Sequence, residues 1–370
     1  MSERYYEPIT LTVDPRDEGM TVRTVLEKRL GVSRKLLSRL KLTEEGLTLN
    51  GRRVYTTAKV KAGDEVALRM ERERSDDILP QEMPLDIVYE DSHLLILNKA
   101  AGVIVHPTHG HYTHTLANGV VHLWQSRGES FRFRPVHRLD QETSGVVAVA
   151  KNGYVHQQLS EQMQRGEVDK TYIAYVFGKP EPASGTVDAP IDRNPDAPHI
   201  RIVTPDGYPS VTHYETVEIY RGGAGSASLV RLKLETGRTH QIRVHMRHIG
   251  CPLIGDKMYG IGTGEAALKR RMTADEPAKP RQAAATAADM QGREAKAAAE
   301  WRTMGTAADR HDGEETAAEW RAAANEAAGR QALHAWELAF THPMTGERVT
   351  FRASLPEDLQ RLERLLREGD

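Results

Sequence analysis

Asp140 lies in the stretch RPVHRLDQETSGVVAVAK, residues 134–151, directly after His137-Arg138-Leu139 and just ahead of Thr143-Ser144-Gly145. The apolar run Val146 to Ala150 predicts a buried strand. A carboxylate in a turn that feeds a rigid strand is held still and aimed. Catalytic groups need that, since a misplacement of about an ångström costs rate. A turn Asp is also an ordinary capping residue, so residue type alone leaves both readings open.

Three further stretches carry groups capable of chemistry. In LETGRTHQIRVHMRHIGCPLIGD, residues 234–256, Gly237 ends a strand and Thr239 is placed to cap a helix with Ile242, Met246 and Ile249 on one face. Arg243 then falls in the first turn, where the helix dipole disfavours a cation and a carboxylate partner is called for. Asp140 is the candidate; a buried pair would keep it ionised and oriented, whereas the plainer alternative is a structural ion pair. In Lys170 to Val176 the β-formers alternate, so Tyr172 and Tyr175 point to opposite faces and only one of them can serve a site. His106, His109, His111 and His114 crowd one loop. Imidazoles ligate zinc, but a loop holding Pro107 and Gly110 gives no fixed helix or strand spacing, so the histidines are read as polar loop residues and no metal is expected.

The elements that must position these groups are legible in order. Val22, Val25, Leu26 and Leu30 are spaced as one helix stopped by Gly31, and Ser33 caps a second with Leu36, Leu37 and Leu40 inward and Arg34, Lys35, Arg39 and Lys41 outward. Asn50-Gly51 between Leu47–Leu49 and Arg52–Val54 predicts a hairpin, and Gly63-Asp64 turns into Glu65–Leu68. Residues 16–70 hold 13 Lys/Arg against 7 Asp/Glu, a local positive face in a chain of net charge −2. The charged stretch Arg72–Asp77 is the expected domain boundary. Beyond it come strands at 87–89 and 94–97, a helix over 153–165, strands at 211–220 and 228–235, two strands around the Pro343–Gly346 turn and a closing helix from Pro356 to Arg367. Residues 262–329 differ: 22 alanines, few β-branched residues, and Ala-Ala-Glu-Trp-Arg repeated at 298–302 and 317–321. Gly292, Gly305, Gly313 and Gly329 should cut this stretch into short pieces, so a flexible, partly helical insertion is expected. With no apolar run of 18 residues, no signal-peptide core at the N-terminus and the single Cys251, the chain reads as soluble and cytoplasmic, with no membrane partner.

The string His137-Arg138-Leu139-Asp140 with Thr143-Ser144-Gly145 resembles the signature motif of the RluA-type (RluA/RluD-like) pseudouridine synthases. Asn98 to Pro107 is similar to that family's first motif, with Ala100 where the family has Pro. Lys170-Thr171-Tyr172 and Gly237 to Arg243 match two more motifs. Ser33-Arg34, Asn50-Gly51 and Gly63-Asp64 resemble markers of the S-four-like RNA-binding module. The resemblance implies an α+β fold: a catalytic domain, residues 78–370, with a largely antiparallel bent mixed sheet flanked by helices, interrupted at 262–329, and a small N-terminal α/β RNA-binding module, residues 1–74. It implies an isomerase that needs no cofactor, since detaching, turning and rejoining uracil changes no redox state and adds no group. Asp140 would be the catalytic carboxylate, Tyr172 would pack on the uracil, Arg243 would pair with Asp140, and Arg138 would fill the gap left by a flipped base. RNA contacts would come from Lys99, His137, Arg138, Thr143, Arg238 and His240, and in the module from Arg34, Lys35, Arg39, Arg52 and Arg53. The expected partner of this monomer is RNA, first large-subunit ribosomal RNA and otherwise tRNA. The rivals are a non-catalytic RNA-binding ribosome-assembly factor and a metal-dependent RNA hydrolase using the histidine loop.

Overall fold

The computed structural model describes residues 4–222, 225–261 and 307–368. The chain divides into two compact units, Met1–Ile173 with Leu232–Glu235 and Leu333–Pro356, and Ala174–Arg231 with Thr236–Ala332 and Glu357–Asp370. None of its described helices is long and apolar enough to cross a membrane.

The first unit opens with β1 (Ile9–Thr12), α1 (Val22–Leu30), α2 (Arg34–Leu40), β2 (Leu47–Leu49), β3 (Arg52–Arg53) and β4 (Glu65–Leu68). These strands form an antiparallel sheet in the order β1-β4-β2-β3. The Ser33 cap and the Gly31 stop are as expected, Ser33 Oγ accepting the Leu36 amide and Gly31 ending α1 at φ +60°, and Thr21 Oγ1 accepts the Thr24 amide at the start of α1. The Asn-Gly and Gly-Asp turns hold each other, since Asn50 Nδ2 donates to Asp64 Oδ1 at 2.8 Å and its Oδ1 accepts the Glu65 amide at 2.8 Å.

The same unit continues with β5 (Asp86–Glu90), β6 (Leu94–Lys99), α3 (Leu116–Ser126), β7 (Arg134–Pro135), β8 (Ser144–Ala150), α4 (Gly153–Gln164) and the start of β9 (Asp169–Phe177). After β10 to β14 of the second unit, β15 (Leu333–Thr341) and β16 (Arg348–Arg352) return to it. Here β8 lies between β6, antiparallel, and β15, parallel, with the short β7 also on it. All seven residues of β8 are buried, which is why its sequence is an unbroken apolar run.

The N-terminal module shares a core with the remainder of the first unit. Val25, Leu26, Leu36 and Leu37 belong to one hydrophobic cluster with Tyr154, Val155 and Leu159 of α4. Tyr154 Oη donates to Leu30 O at 2.9 Å, and Gln157 and Gln158 both donate to Gly31 O. Arg72 to Asp77, expected as a linker, is tied down: Glu73 bridges Arg39 and Arg134, and Ser75 Oγ accepts the Phe133 amide at 2.7 Å. The module has its own sheet but packs as part of the unit that carries Asp140.

The second unit contains β10 (Ser184–Asp188), β11 (Ile191–Asn194), β12 (Ala197–Val203), β13 (Val211–Gly222), β14 (Gly225–Leu234), α5 (Gln241–His248), α6 (Ala307–Ala328) and α7 (Glu357–Glu368), with β9 and β14 each crossing the division between units along the chain. Strands run in the order β10-β13-β14, and β11 and β12 form a separate ribbon. The Ala-rich stretch departs from expectation where it is described. Residues 262–306, with Gly292, Gly305 and Trp301, lie outside the described residues, but α6 is a single 22-residue helix running through Gly313 and ended by Gly329 at φ +68°. Packing supplies what glycine takes away. Ala317, Ala324 and Ala328 are buried, α6 lies on α7, and Trp320 meets the Phe177 ring edge-on at 6.1 Å. Asn325 Oδ1 accepts the Gly255 amide at 2.7 Å, and Arg361 donates to Ala327 O at 3.1 Å.

The shared core makes a test. Deleting residues 1–74 uncovers Tyr154, Val155 and Leu159, so the truncated chain should melt well below the full chain and bind a hydrophobic dye, each lost leucine contact costing about 2–5 kcal/mol. Equal melting temperatures would show two independent cores.

Candidate active site

Asp140 sits in a turn held from both sides. Leu139 is buried beneath it, and the Thr143 amide donates to Asp140 O at 3.1 Å. Gln141 and Gly102 exchange two hydrogen bonds, the Gly102 amide to Gln141 O at 2.9 Å and Gln141 Nε2 to Gly102 O at 3.1 Å. Lys99, 1% exposed, donates from Nζ to Ala100 O, Val103 O and Gln141 O at 2.8, 2.7 and 3.0 Å. Lys99, expected to meet RNA, is thus buried and clamps two loops together.

The Thr-Ser-Gly sequence has a separate reason at each position. Thr143 closes the turn and is 2% exposed, so it is part of the frame and not of an RNA-facing surface. Ser144 Oγ lies 2.9 Å from His334 Nδ1, and His334 Nε2 lies 3.2 Å from Ala353 O. A carbonyl can only accept, so Nε2 carries the proton and the Ser144 hydroxyl donates to Nδ1. Gly145 has φ +118°, and a Cβ there would stand 2.2 Å from Ala335 O. Only glycine fits.

Tyr172 in β9 is 8% exposed, and burial, with the nearby Asp140 charge adding to it, pushes its phenol far above the ordinary tyrosine range. It therefore stays protonated near neutral pH and cannot be a base there. Tyr175, three residues on, turns elsewhere: its hydroxyl donates to Glu363 at 3.1 Å and its ring stacks on Tyr220. His137 lies behind the turn, its Nε2 accepting the Ala148 amide at 3.3 Å. Burial, helped by the Lys170 charge, lowers its pKa to about 4, so this residue is a neutral acceptor within the frame. Arg138 is exposed and makes no hydrogen bond or ion pair among the described residues.

The second motif, in the other unit, forms a buried polar cluster. Gln241, 2% exposed, accepts from Thr236 Oγ1 and the Arg238 amide at 2.8 and 3.0 Å and donates to Val211 O and Thr212 Oγ1, both at 3.0 Å. This lattice replaces the expected Thr239 cap: the residue before α5 is His240, at φ +58° with no side-chain cap bond. Arg243, 6% exposed, forks onto Asp256, Nε to Oδ2 at 2.7 Å and Nη2 to Oδ1 at 2.8 Å, and lies over the Tyr259 ring at 4.8 Å. Burial pushes the Asp256 carboxyl up, but Arg243 and the Met258 and Tyr259 amides outweigh it and hold the group below the usual carboxylate range. Asp256 was missed in the sequence although it is the first acidic residue after Arg243 and the helix dipole demanded a partner. Arg238 is exposed over Tyr208, and His240 Nδ1 meets the Tyr259 hydroxyl at 2.8 Å.

Of the module's expected RNA contacts, Arg34, Lys35, Arg52 and Arg53 are exposed, while Arg39 is engaged with Glu73. His106, His109, His111 and His114 line an exposed loop, and among the described residues no three His, Cys, Asp or Glu groups are arranged to hold a metal ion.

Two measurements check this frame. The unfolded chain protonates His137 near pH 6.5 and the folded chain only near 4, so its contribution is whole above pH 6.5 and is lost as pH falls toward 4, by no more than about 3 kcal/mol. His137→Gln keeps an acceptor for Ala148 without titrating, and its melting temperature should fall less than that of the wild type between these pH values; parallel curves would refute this. Asp256→Ala removes a buried two-bond fork and should cost about 3–5 kcal/mol of stability in denaturant melts, against which an unchanged midpoint would count.

Residues 93–248 match the family model described as RNA pseudouridylate synthase, and residues 9–66 match that of the RluD ribosomal pseudouridine synthase N-terminal domain. The chain is 34% identical over 334 residues to the uncharacterized RNA pseudouridine synthase YjbO of Bacillus subtilis, covering 90% of this chain and 95% of that one. It is 35% identical over 315 residues to ribosomal large subunit pseudouridine synthase D of Escherichia coli strain K12, covering 84% and 78%. These extended matches show that the chain belongs to the RNA pseudouridine synthase family and is an isomerase of uridine in RNA.

Proposed function

We propose that this enzyme isomerises uridine in large-subunit ribosomal RNA, with Asp140 as its catalytic carboxylate. The observation that carries the assignment of Asp140 is its turn, clamped by Lys99 and Gln141 on one side and by Gly145 on the other, with a buried, protonated Tyr172 nearby. The ribosomal target is supported by relatives whose names specify the large subunit and by the match of the N-terminal module to the one named for ribosomal pseudouridine synthesis.

The reaction breaks the bond from ribose C1′ to uracil N1 and forms one from C1′ to C5. The C5 proton leaves and N1 gains a proton, so atoms and electrons balance without a cofactor. A uridine must leave its stack to reach a carboxylate set in a turn. Arg138, exposed two residues before Asp140, occupies the gap in the RNA. Tyr172 packs its ring on the uracil and, keeping its proton, offers a donor and not a base. Arg243 supplies the positive charge that its motif provides in this family. Arg238 and His240 meet RNA, as do the exposed Arg34, Lys35, Arg52 and Arg53, which release counterions on meeting phosphate and make binding salt-dependent. The protein acts as a monomer in the cytoplasm.

Asp140→Asn should give no pseudouridine while its affinity for RNA stays within a few-fold, because binding cannot replace a lost nucleophile or base. Modification mapping of ribosomal RNA and tRNA from a strain lacking the gene, before and after adding the protein, identifies the target. Product formation by the Asn variant at the wild-type rate would overturn the assignment, and restoration confined to tRNA would overturn the ribosomal target.

A further inference from the structure

We propose that the loop at residues 108–112 is a separate RNA contact, in which the ring of Tyr112 stacks on an unpaired base of the substrate RNA. The inference rests on the proposed function, in that it takes the substrate to be RNA. Thr108 and His111 exchange both backbone hydrogen bonds, at 3.1 and 2.8 Å, around the two-residue turn His109-Gly110, where Gly110 takes φ +83°. Tyr112 directly after it is 59% exposed, its hydroxyl 3.3 Å from His109 Nδ1 and the two rings edge to face. Leu79, 64% exposed, stands on the same support.

That support is rigid. Asn118, wholly buried, donates from Nδ2 to Leu79 O at 2.7 Å and to Tyr112 O at 3.2 Å, so one side chain fixes both. His114 holds φ +58°, a sparsely populated conformation for a residue with a side chain, and its amide donates to Gln81 Oε1 at 2.8 Å. Strained backbone locked by buried polar groups and presenting an exposed aromatic ring is a platform built for contact. The chemistry of the surroundings selects the occupant. Residues 92–128 contain no Asp or Glu in a chain that has 52, so the loop itself brings no negative charge against phosphate, while its threonines and histidines offer hydrogen-bond partners. The loop also begins at Gly102, which is bonded to Gln141 beside Asp140, so platform and catalytic turn share one frame. Stacking tolerates any base, which suits a contact that orients RNA without reading it.

The test uses the full-length protein with unmodified large-subunit ribosomal RNA transcribed in vitro. Tyr112→Ala should raise KM about 5- to 100-fold with kcat within about twofold and an unchanged melting temperature, the size of effect expected for one lost stacked base. Tyr112→Trp should keep KM at or below the wild-type value. In an Asp140→Asn background the same Ala substitution should weaken RNA binding equally, which separates this contact from the chemistry. An unchanged KM and Kd for Tyr112→Ala would overturn the proposal, as would a Trp variant as impaired as the Ala variant. A defect seen on ribosomal particles but not on naked RNA would overturn it in favour of a protein partner. Absence of pseudouridine from the wild-type reaction would instead refute the ribosomal target, leaving the binding comparison to judge the platform.

Discussion

The approach of Gly145 to the backbone of Ala335 constrains everything around the carboxylate of Asp140. A side chain at that position would collide with a carbonyl at 2.2 Å, so the start of β8 can lie this close to β15 only as glycine. The parallel pairing of His334 with Ser144 and Ala335 with Gly145 then sets the register of a fully buried strand. Register in a strand is all or nothing, since a slip of one residue inverts every side chain. The turn before the strand inherits this certainty. Lys99 completes it by drawing the carbonyls of two loops onto one ammonium, a contact that neither loop could provide by itself.

Much of this was legible in the sequence because it is local. Caps, the Asn-Gly turn and the unbroken apolar run of β8 each arise from a few adjacent residues, and the structure has them. The motif around Asp140 was legible as a motif, but the reasons for its letters were not. Ser144 needs His334 and Gly145 needs Ala335, partners 190 positions away that no local pattern announces. His137 and Lys99 were expected at the RNA, and the structure gives each a partner inside the protein: His137 Nε2 accepts the Ala148 amide, and the buried Lys99 is a clamp. Side-chain type suggested charge, and the surroundings decided what that charge does.

The Ala-rich stretch and the Arg243 helix show the same lesson from opposite sides. Counting glycines predicted short helical pieces, but α6 gains its length from the alanine face it lays down and from Trp320 against Phe177. Small residues that form no core alone still pack closely once a partner is present. At α5, dipole reasoning correctly demanded a carboxylate for Arg243, and Asp256 answers within the same unit through a two-bond fork reinforced by two amides. A fork of this kind fixes the plane of the guanidinium as well as its charge.

The N-terminal module is joined to the Asp140 unit by more than a peptide link. Leu30 and Gly31 at the end of α1 are bonded to α4, and Glu73 ties α2 to the strand that runs toward the Asp140 turn. A module on a loose tether would raise the local concentration of RNA and leave the choice of uridine to the catalytic pocket. A module set into the same core behaves as a ruler. The span between its basic face and Asp140 becomes a fixed length, so under the proposed function the substrate would have to bring its uridine to Asp140 at that length from the phosphates the module meets. Selectivity of this kind would be written in the distance between two rigid points rather than in the bases around the uridine.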